Sequence, residues 1–224
     1  MFFKKKKPIQ LVLFTSLATL CGVSTIFFLN HMETNKPKDI QTHLYPTIGN
    51  PKSKVNVVVF EEPRCIDCME YNNQIFPKIK KEFIDNHLIS YTAIPLSFLP
   101  NSLDTAAALL CVYNQQKYLE NAELYFHFLD YIYNEKIAPL LKDIDIDGIL
   151  QLAKTADNRI DTKKLKECLR THHFHKQTMK NNDYAEKLMD GHLETPTVFV
   201  NGIKIANLNY DTIKKQISHL LESK

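Results

Sequence analysis

The sequence predicts an α/β domain that contains an inserted block of helices. Three observations indicate this class. An apolar, β-branched run at Val55–Phe60 leads into two cysteines and a helical period. Residues 101–190 then show helical periodicity, and a strand with an Asn-Gly turn follows near the C-terminus. The pieces before and after the helical block are expected to form one sheet domain, because strands and helices in this order are typical of layered α/β folds.

Composition limits the functions to be considered. The chain has 224 residues, of which 44% are hydrophobic and 24% are charged, as is typical of a globular protein. The net charge is only +3, so no nucleic-acid-binding surface is predicted. Only five glycines are present and none lies in a phosphate-binding loop, so neither nucleotide binding nor a cofactor is predicted.

The N-terminus predicts export. Four lysines at Lys4–Lys7 precede an uncharged run, Ile9–Leu29, that is just long enough to span a bilayer. Residues 1–30 are therefore interpreted as an uncleaved membrane anchor or as a cleaved signal peptide, and the lack of a clean A-x-A site favours the anchor. In either case we expect the rest of the chain outside the cytoplasm.

Changes in composition divide the exported part. Residues 31–51 are polar and interrupted by prolines, which is typical of a tether. Residues 52–100 and 191–224 are predicted to form the sheet domain, with residues 101–190 as the helical insertion. The predicted strands and helices of the sheet domain are Val55–Phe60, a helix at Tyr71–Asn86, Leu88–Leu96, Thr195–Gly202 and a closing helix at Tyr210–Leu221.

Cys65 and Cys68 are placed for redox chemistry. A static crosslink over so short a loop would stabilise little, and a zinc site lacks a second pair of ligands at the required spacing, so no metal is predicted. At the first turn of a helix, Cys65 would be favoured as a thiolate with a pKa below about 8.5. Cys68, one turn later, could then attack the mixed disulfide formed at Cys65.

Neighbouring residues are predicted to tune the pair. Arg64 would attract the Cys65 thiolate, and Asp67 would repel it and so offset the helix dipole. Ile66 completes the dipeptide between the cysteines. A cis Thr195–Pro196 bond beside the cysteines would keep metal ions out and leave backbone groups free to pair with an extended substrate. The alternative is an ordinary trans proline at the start of a strand.

Taken in order, several stretches resemble the DsbA-like thiol-disulfide oxidoreductases of the thioredoxin superfamily. The stretches are IGNPKSKVNVVVFEEPRCIDC, AAALLCVY, KECL and TPTVFVNG, and the resemblance covers about residues 45 to 222. It implies a thioredoxin fold with an inserted helical domain, a redox centre at Cys65 and Cys68, and a cis proline at Pro196. The sequence departs from the family at Ile66-Asp67, where strong oxidases have a histidine, so we expect a mild oxidant.

The resemblance also implies a location, in the bacterial periplasm or on the outer face of the inner membrane, and a set of partners. These are cysteine-containing exported proteins, a quinone-linked membrane partner of the DsbB or VKOR type for reoxidation, and the membrane itself if the N-terminal segment is uncleaved. The predicted function is that of an exported dithiol oxidase. A reductase or isomerase with the same pair, a non-catalytic chaperone or peptide-binding module beside Pro196, and a zinc-binding module are the alternatives.

Two further cysteines, Cys111 and Cys168, fall at apolar positions within the helical insertion. Buried free thiols are one interpretation. Export favours the other, a structural disulfide that closes a loop of more than 50 residues.

Overall fold

The computed structural model describes residues 36–116 and 122–223. The chain divides into two units, Met1–Pro37 and Lys38–Lys224. The predicted anchor or signal at residues 1–30 lies outside the described residues. Among the residues that are described, no helix is both long enough and apolar enough to cross a bilayer.

A mixed β-sheet lies at the centre of the second unit. Its described strands are β1 (Thr47–Gly49), β2 (Asn56–Glu61), β3 (Ser90–Pro95), β4 (Thr197–Val200) and β5 (Ile203–Lys204). They lie side by side in the order β1-β3-β2-β4-β5. Strands β2 and β3 are parallel, whereas β1–β3, β2–β4 and β4–β5 are antiparallel pairs. The ends of β2 and β3 and the start of β4 therefore meet at one edge.

Strand β2 is buried on both faces. Every residue from Val57 to Glu61 is buried, which explains why the run is continuously apolar rather than alternating. Val57 and Val59 belong to the larger hydrophobic cluster, and Val58 and Phe60 to a second cluster on the opposite face. The predicted strand is confirmed, shifted by one residue.

The sheet is flanked by helices that follow β2 and close the chain. These are α1 (Ile66–Gln74), α2 (Phe76–Ile79) with a π-helical turn at Lys80–Ile84, and α8 (Tyr210–Glu222). The apolar period predicted over Tyr71–Asn86 falls on α1, α2 and the π-helical turn, and α1 itself begins five residues earlier, at Ile66, which puts the cysteine pair at its start. Its first turn carries the exposed residues Ile66 and Asp67, so the apolar period becomes visible only one turn later.

The remaining helices all lie between β3 and β4 in the sequence. They are α3 (Leu103–Gln116), α4 (Glu123–Ile132), a 3-10 turn at Ala138–Lys142, α5 (Ile146–Ala156), α6 (Thr162–Arg170) and α7 (His175–Leu188). Asp145 and Asp161 cap the starts of α5 and α6, because their carboxylates accept hydrogen bonds from backbone amides of the first turn.

Part of the predicted tether belongs to the folded unit. Residues Thr47–Gly49 form the edge strand β1, and the Tyr45 hydroxyl donates to Asn181 Oδ1 at 2.7 Å. The Lys38 amide donates to the Gly202 carbonyl at 2.8 Å. The prediction of a tether through residue 51 was therefore wrong from Lys38 onward. Edge strands are short and need only one buried face, so this one left little apolar signal.

The β4–β5 hairpin was correctly predicted at Asn201-Gly202. Both residues have positive φ, 46° and 76°, as a two-residue type I′ turn requires. A Cβ at Gly202 would lie 2.1 Å from the Lys38 carbonyl oxygen, so only glycine fits there.

A disulfide joins Cys111 in α3 to Cys168 in α6, with Cα atoms 6.0 Å apart. Of the two alternatives that the sequence left open, free thiols or a disulfide, the structure has the disulfide. It closes a loop whose ends are 57 positions apart. It therefore links two packed helices of the segment between β3 and β4.

Replacing both residues (Cys111→Ala with Cys168→Ala) should lower the free energy of unfolding by about 2–4 kcal/mol, because the unfolded chain regains the entropy of this long loop. Urea unfolding of the double variant and of the wild type measures the difference. Disulfide exchange at Cys65 should continue in the double variant. An unchanged free energy of unfolding would contradict the prediction.

Candidate active site

The two free cysteines of the described chain lie where β2 gives way to α1. After Glu61 the chain turns, and the Cys65 amide donates to the Glu62 carbonyl at 2.9 Å. Cys65 has extended backbone angles and occupies the N-cap position of α1. It is half-buried, whereas Cys68 is 1% exposed. An approaching molecule therefore meets Cys65 first, with Cys68 beneath it.

The environment of Cys65 favours its thiolate. Its pKa is lowered to about 6, chiefly by a hydrogen bond from the Cys68 thiol and against the opposing effect of burial. The Thr195 hydroxyl and the backbone amides of Cys68 and Asp67 add to the lowering. These amides are two of the unpaired donors at the start of a helix, which an N-cap side chain normally satisfies with oxygen. Cys65 makes no such capping hydrogen bond in the thiol form, and the amides act on its sulfur when it is a thiolate.

The environment of Cys68 has the opposite effect. Burial raises the pKa of its thiol well above the ordinary value, and the hydrogen bond that it gives to Cys65 and the charges of Cys65 and Glu61 add to the rise. At neutral pH Cys65 is therefore a thiolate and Cys68 a thiol. This difference suits one sulfur to attack and leave, and the other to exchange only with its neighbour.

Thr195 and Pro196 lie next to Cys65. Thr197 pairs with Phe60 across β4 and β2, so the residues before Thr197 lie at the edge where α1 begins. The Thr195–Pro196 peptide bond is cis. In the thiol form, Cys65 Sγ donates to the Thr195 carbonyl oxygen at 3.2 Å. The Thr195 hydroxyl is buried without a hydrogen-bond partner, so it is available to a thiolate.

The three residues predicted to tune the pair differ in placement. The Arg64 amide donates to Glu62 Oε2 at 2.8 Å, and the Arg64 charge lowers the pKa of Glu62. The Arg64 Nη1 atom is buried without a hydrogen-bond partner. Ile66 is 68% exposed beside Cys65. Asp67 is also exposed, and its backbone amide acts on the Cys65 sulfur.

A family model described as thioredoxin matches residues 41–219. The crystal structure of DsbA from Chlamydia trachomatis is 33% identical, with a TM-score of 0.71, over 83% of this chain and 97% of that one. The chain belongs to the thioredoxin superfamily as a DsbA-like protein. The oxidised structure of BdbD from Bacillus subtilis is 26% identical, with a TM-score of 0.70, over 84% of this chain and 99% of that one.

The names of related proteins agree with this family assignment. It is 28% identical over 224 residues to the "Probable disulfide bond formation protein D" of Bacillus cereus, which covers 98% of this chain and 99% of the relative. It is also 28% identical over 180 residues to the disulfide bond formation protein D of Bacillus subtilis, over 80% of this chain and 78% of the relative. The chain is accordingly a protein thiol-disulfide oxidoreductase with a thioredoxin-like fold.

Two buried acidic residues at the site were not predicted from the sequence. Glu61 and Glu62, at the end of β2, are 4% and 0% exposed. Burial raises the pKa of Glu61 to about 8, although a hydrogen bond from Tyr125 lowers it, and burial raises the pKa of Glu62 to about 7. One signal was available in the sequence. Alternation along β2 puts Glu61 on the same face as Val57 and Val59, toward the core.

Four buried tyrosines surround these acids. The Tyr125 hydroxyl donates to Glu61 Oε1 at 2.9 Å, and the Tyr133 hydroxyl donates to the Glu62 carbonyl at 3.1 Å. The Tyr91 hydroxyl donates to that of Tyr71 at 3.2 Å. Burial raises the pKa of all four tyrosines, so they are neutral hydrogen-bond donors at physiological pH.

The histidines near Cys168 have a different environment. His175 Nε2 lies 2.7 Å from Asp104 Oδ1, and His172 Nδ1 lies 3.2 Å from the same histidine nitrogen. Within residues 36–116 and 122–223, no group of three or more histidine, cysteine and acidic side chains is arranged to hold a metal ion.

The rate of Cys65 alkylation by iodoacetamide should have its midpoint near pH 6 in the reduced protein, because only the thiolate reacts. In Cys68→Ala the midpoint should move upward, since the largest cause of the lowered pKa is removed. Rates measured across pH give both values. A midpoint that stays near pH 6 in Cys68→Ala would show that the Thr195 hydroxyl and the helix amides are sufficient to stabilise the thiolate.

The same shift affects stability, with a definite sign. The folded-state pKa of Cys65 is below its unfolded value, so its contribution to the stability of the reduced protein is complete above the ordinary thiol pKa. That contribution is lost as the pH falls through about 6.

Proposed function

We propose that this protein is an extracytoplasmic dithiol oxidase that transfers a disulfide from Cys65–Cys68 to cysteines of exported proteins. The observation that carries the proposal is the placement of the pair, with Cys65 half-buried at the N-cap of α1 and Cys68 buried. This placement lowers the pKa of Cys65 to about 6 and raises that of Cys68. A pair becomes oxidising when its reduced form is stabilised, and a stable Cys65 thiolate does so.

The proposed reaction has two exchanges. A substrate thiolate attacks Cys65 Sγ, the Cys65–Cys68 bond breaks, and Cys68 leaves with the electron pair and takes a proton. A second substrate thiolate then attacks the substrate sulfur that is bound to Cys65. The bond between that sulfur and Cys65 breaks, and Cys65 leaves as a thiolate. The substrate gains a disulfide and the pair gains two electrons. Glu61, whose pKa of about 8 keeps it protonated at neutral pH, is proposed to supply the proton to Cys68.

The proposed substrate is an extended segment beside Cys65. The cis Thr195–Pro196 peptide and the exposed Ile66 side chain border the sulfur, which supports binding of a cysteine and its flanking residues. A quinone-linked membrane partner of the DsbB or VKOR type is proposed to reoxidise the pair. Residues 38–100 and 191–224 are proposed as the thioredoxin-like domain, with residues 101–190 as a helical insertion and residues 1–30 as the export signal or anchor.

Cys68→Ala should accumulate mixed disulfides between Cys65 and client proteins in cells, because the sulfur that would release them is absent. Cys65→Ala is the matched control and should trap few. Non-reducing gels followed by mass spectrometry of the trapped species measure the difference. Equal trapping by the two variants would overturn the assignment of Cys65 as the reactive sulfur, and absence of trapping by both would favour a chaperone or peptide-binding module.

Asp67→His should make the reduction potential more oxidising by about 20–40 mV, because a carboxylate near the Cys65 thiolate is replaced by a group that can carry positive charge. Equilibration of both proteins with the same glutathione buffers gives the two potentials. The wild-type value also separates the proposed oxidase from a reductase, which would have a much more reducing potential. A potential that is unchanged or more reducing in Asp67→His would remove Asp67 as a tuning residue.

A further inference from the structure

Helix α4 supplies a hydroxyl to the buried carboxyl group beneath the cysteines. We propose that Tyr125 is a positioning residue for disulfide exchange: its hydroxyl holds the Glu61 carboxylate and so allows Glu61 to exchange a proton with Cys68. This inference rests on the proposed function, because it explains how the proton donor of the first exchange is controlled. It assigns a role in the chemistry to a helix that lies between β3 and β4 in the sequence.

The contact is short and sealed from solvent. Tyr125 OH lies 2.9 Å from Glu61 Oε1, with Tyr125 0% and Glu61 4% exposed. The two residues are 64 positions apart, so the contact exists only in the folded chain. The Tyr125 ring packs edge-on against Phe126, with centroids 5.2 Å apart, which restricts the direction of the hydroxyl.

Other hydrogen bonds fix α4 against the cysteine helix. Asn72 Nδ2 in α1 donates to Asp130 Oδ1 in α4 at 3.0 Å. Asn73 Nδ2 donates to the carbonyl of Tyr133, directly after α4, at 3.1 Å. Cys68 lies on α1, so these contacts hold the helix that carries Tyr125 against the helix that carries Cys68. Because α4 is anchored in this way, the Tyr125 hydroxyl stays directed at the Glu61 carboxyl group.

The groups that interact electrostatically with Glu61 come from three elements. Cys68 and Tyr71 belong to α1, Tyr91 to β3, and Tyr125 and Tyr133 to α4 and its end. The tyrosines are neutral. Among these groups only a Cys68 thiolate would carry a charge, and the Glu61 carboxylate would repel it. The adjacent Glu62 engages the Arg64 amide. Tyr125 is the residue whose hydrogen bond lowers the pKa of Glu61 against its burial.

The role of Tyr125 follows from the proton balance. When Cys68 leaves the sulfur of Cys65, it carries the electron pair of the broken bond and receives the proton of Glu61. The carboxylate that remains is buried, and the Tyr125 hydroxyl stabilises it by donating to Oε1. When the Cys65–Cys68 bond forms again, Cys68 returns its proton to Glu61. Without the hydroxyl, Glu61 would be a weaker acid and the first exchange would be slower.

Tyr125→Phe and Tyr133→Phe form a matched pair for the test. Each removes one buried hydroxyl, but only Tyr125 donates to a carboxylate, whereas Tyr133 donates to the backbone carbonyl of Glu62. Carbon-13 NMR of glutamate carboxyl groups in the full chain, with the Glu61 signal assigned from Glu61→Gln, gives the titration midpoint. In Tyr125→Phe it should rise by about one to two pH units, the effect of losing a hydrogen bond to a charged group. In Tyr133→Phe it should stay.

A kinetic readout accompanies the spectrum. Reduction of the Cys65–Cys68 disulfide by dithiothreitol should be slower in Tyr125→Phe than in Tyr133→Phe at neutral pH. Incorporation of 3,5-difluorotyrosine at position 125 supplies a stronger donor, and should move the Glu61 midpoint downward. This variant also serves if Tyr125→Phe does not fold.

Failure of the Tyr125 role can be distinguished from failure of the proposed oxidase function. If the Glu61 midpoint and the reduction rate in Tyr125→Phe match those of Tyr133→Phe, or if difluorotyrosine has no effect, the role of Tyr125 is overturned and the oxidase proposal stands. If Glu61→Gln leaves reduction by dithiothreitol unchanged, the proton donor itself is wrong, and the inference about Tyr125 falls with it. Loss of the predicted trapping at Cys65 would instead overturn the proposed function.

Discussion

The site depends on the pairing of strand β2 with its two neighbours. Phe60 lies opposite Ile94 in the parallel strand β3 and opposite Thr197 in the antiparallel strand β4. Both registers place the end of β3 and the start of β4 beside the residues that follow Phe60. A slip of one residue in β2 would exchange its two buried faces, so this register is strongly specified. The start of α1 and the Thr195–Pro196 peptide therefore meet because a valine-rich strand fits between two others.

Strand β2 ends where a charged side chain cannot be hydrated. Glu61 and Glu62 follow four buried residues and cannot reach water. A buried ionised carboxyl group is costly unless hydrogen bonds compensate for lost hydration, so its pKa rises and donors must be supplied by the protein. Tyr125 donates to Glu61, and the Arg64 amide to Glu62. Much of the polar structure behind the cysteines is thus a consequence of where β2 ends.

The sequence could predict the features that are local. Cys65 and Cys68 were identifiable because a Cys-x-x-Cys pair directly followed an apolar run, and the Asn201-Gly202 turn because its backbone angles demand those residue types. The Tyr125–Glu61 contact could not be predicted, since it joins residues 64 positions apart and depends on how α4 packs. An acidic residue between a strand and a helix is ordinarily solvated, and this expectation outweighed the alternation that puts Glu61 on the same face as Val57 and Val59. The edge strand β1 was missed for a related reason, because its three residues carry no pattern of their own.

The proposed direction of electron flow has a local physical basis at the start of α1. The amides of Asp67 and Cys68, the Cys68 thiol and the Thr195 hydroxyl all act on a charge that exists only when the pair is reduced. In the disulfide the Cys65 sulfur is neutral and these donors have little to stabilise. Each of them therefore shifts the equilibrium toward the reduced pair and makes the disulfide a stronger oxidant. Burial opposes them at Cys65, and half-exposure keeps that opposition small enough for a pKa of about 6. The balance at one sulfur thus favours giving the disulfide away over receiving it from a substrate.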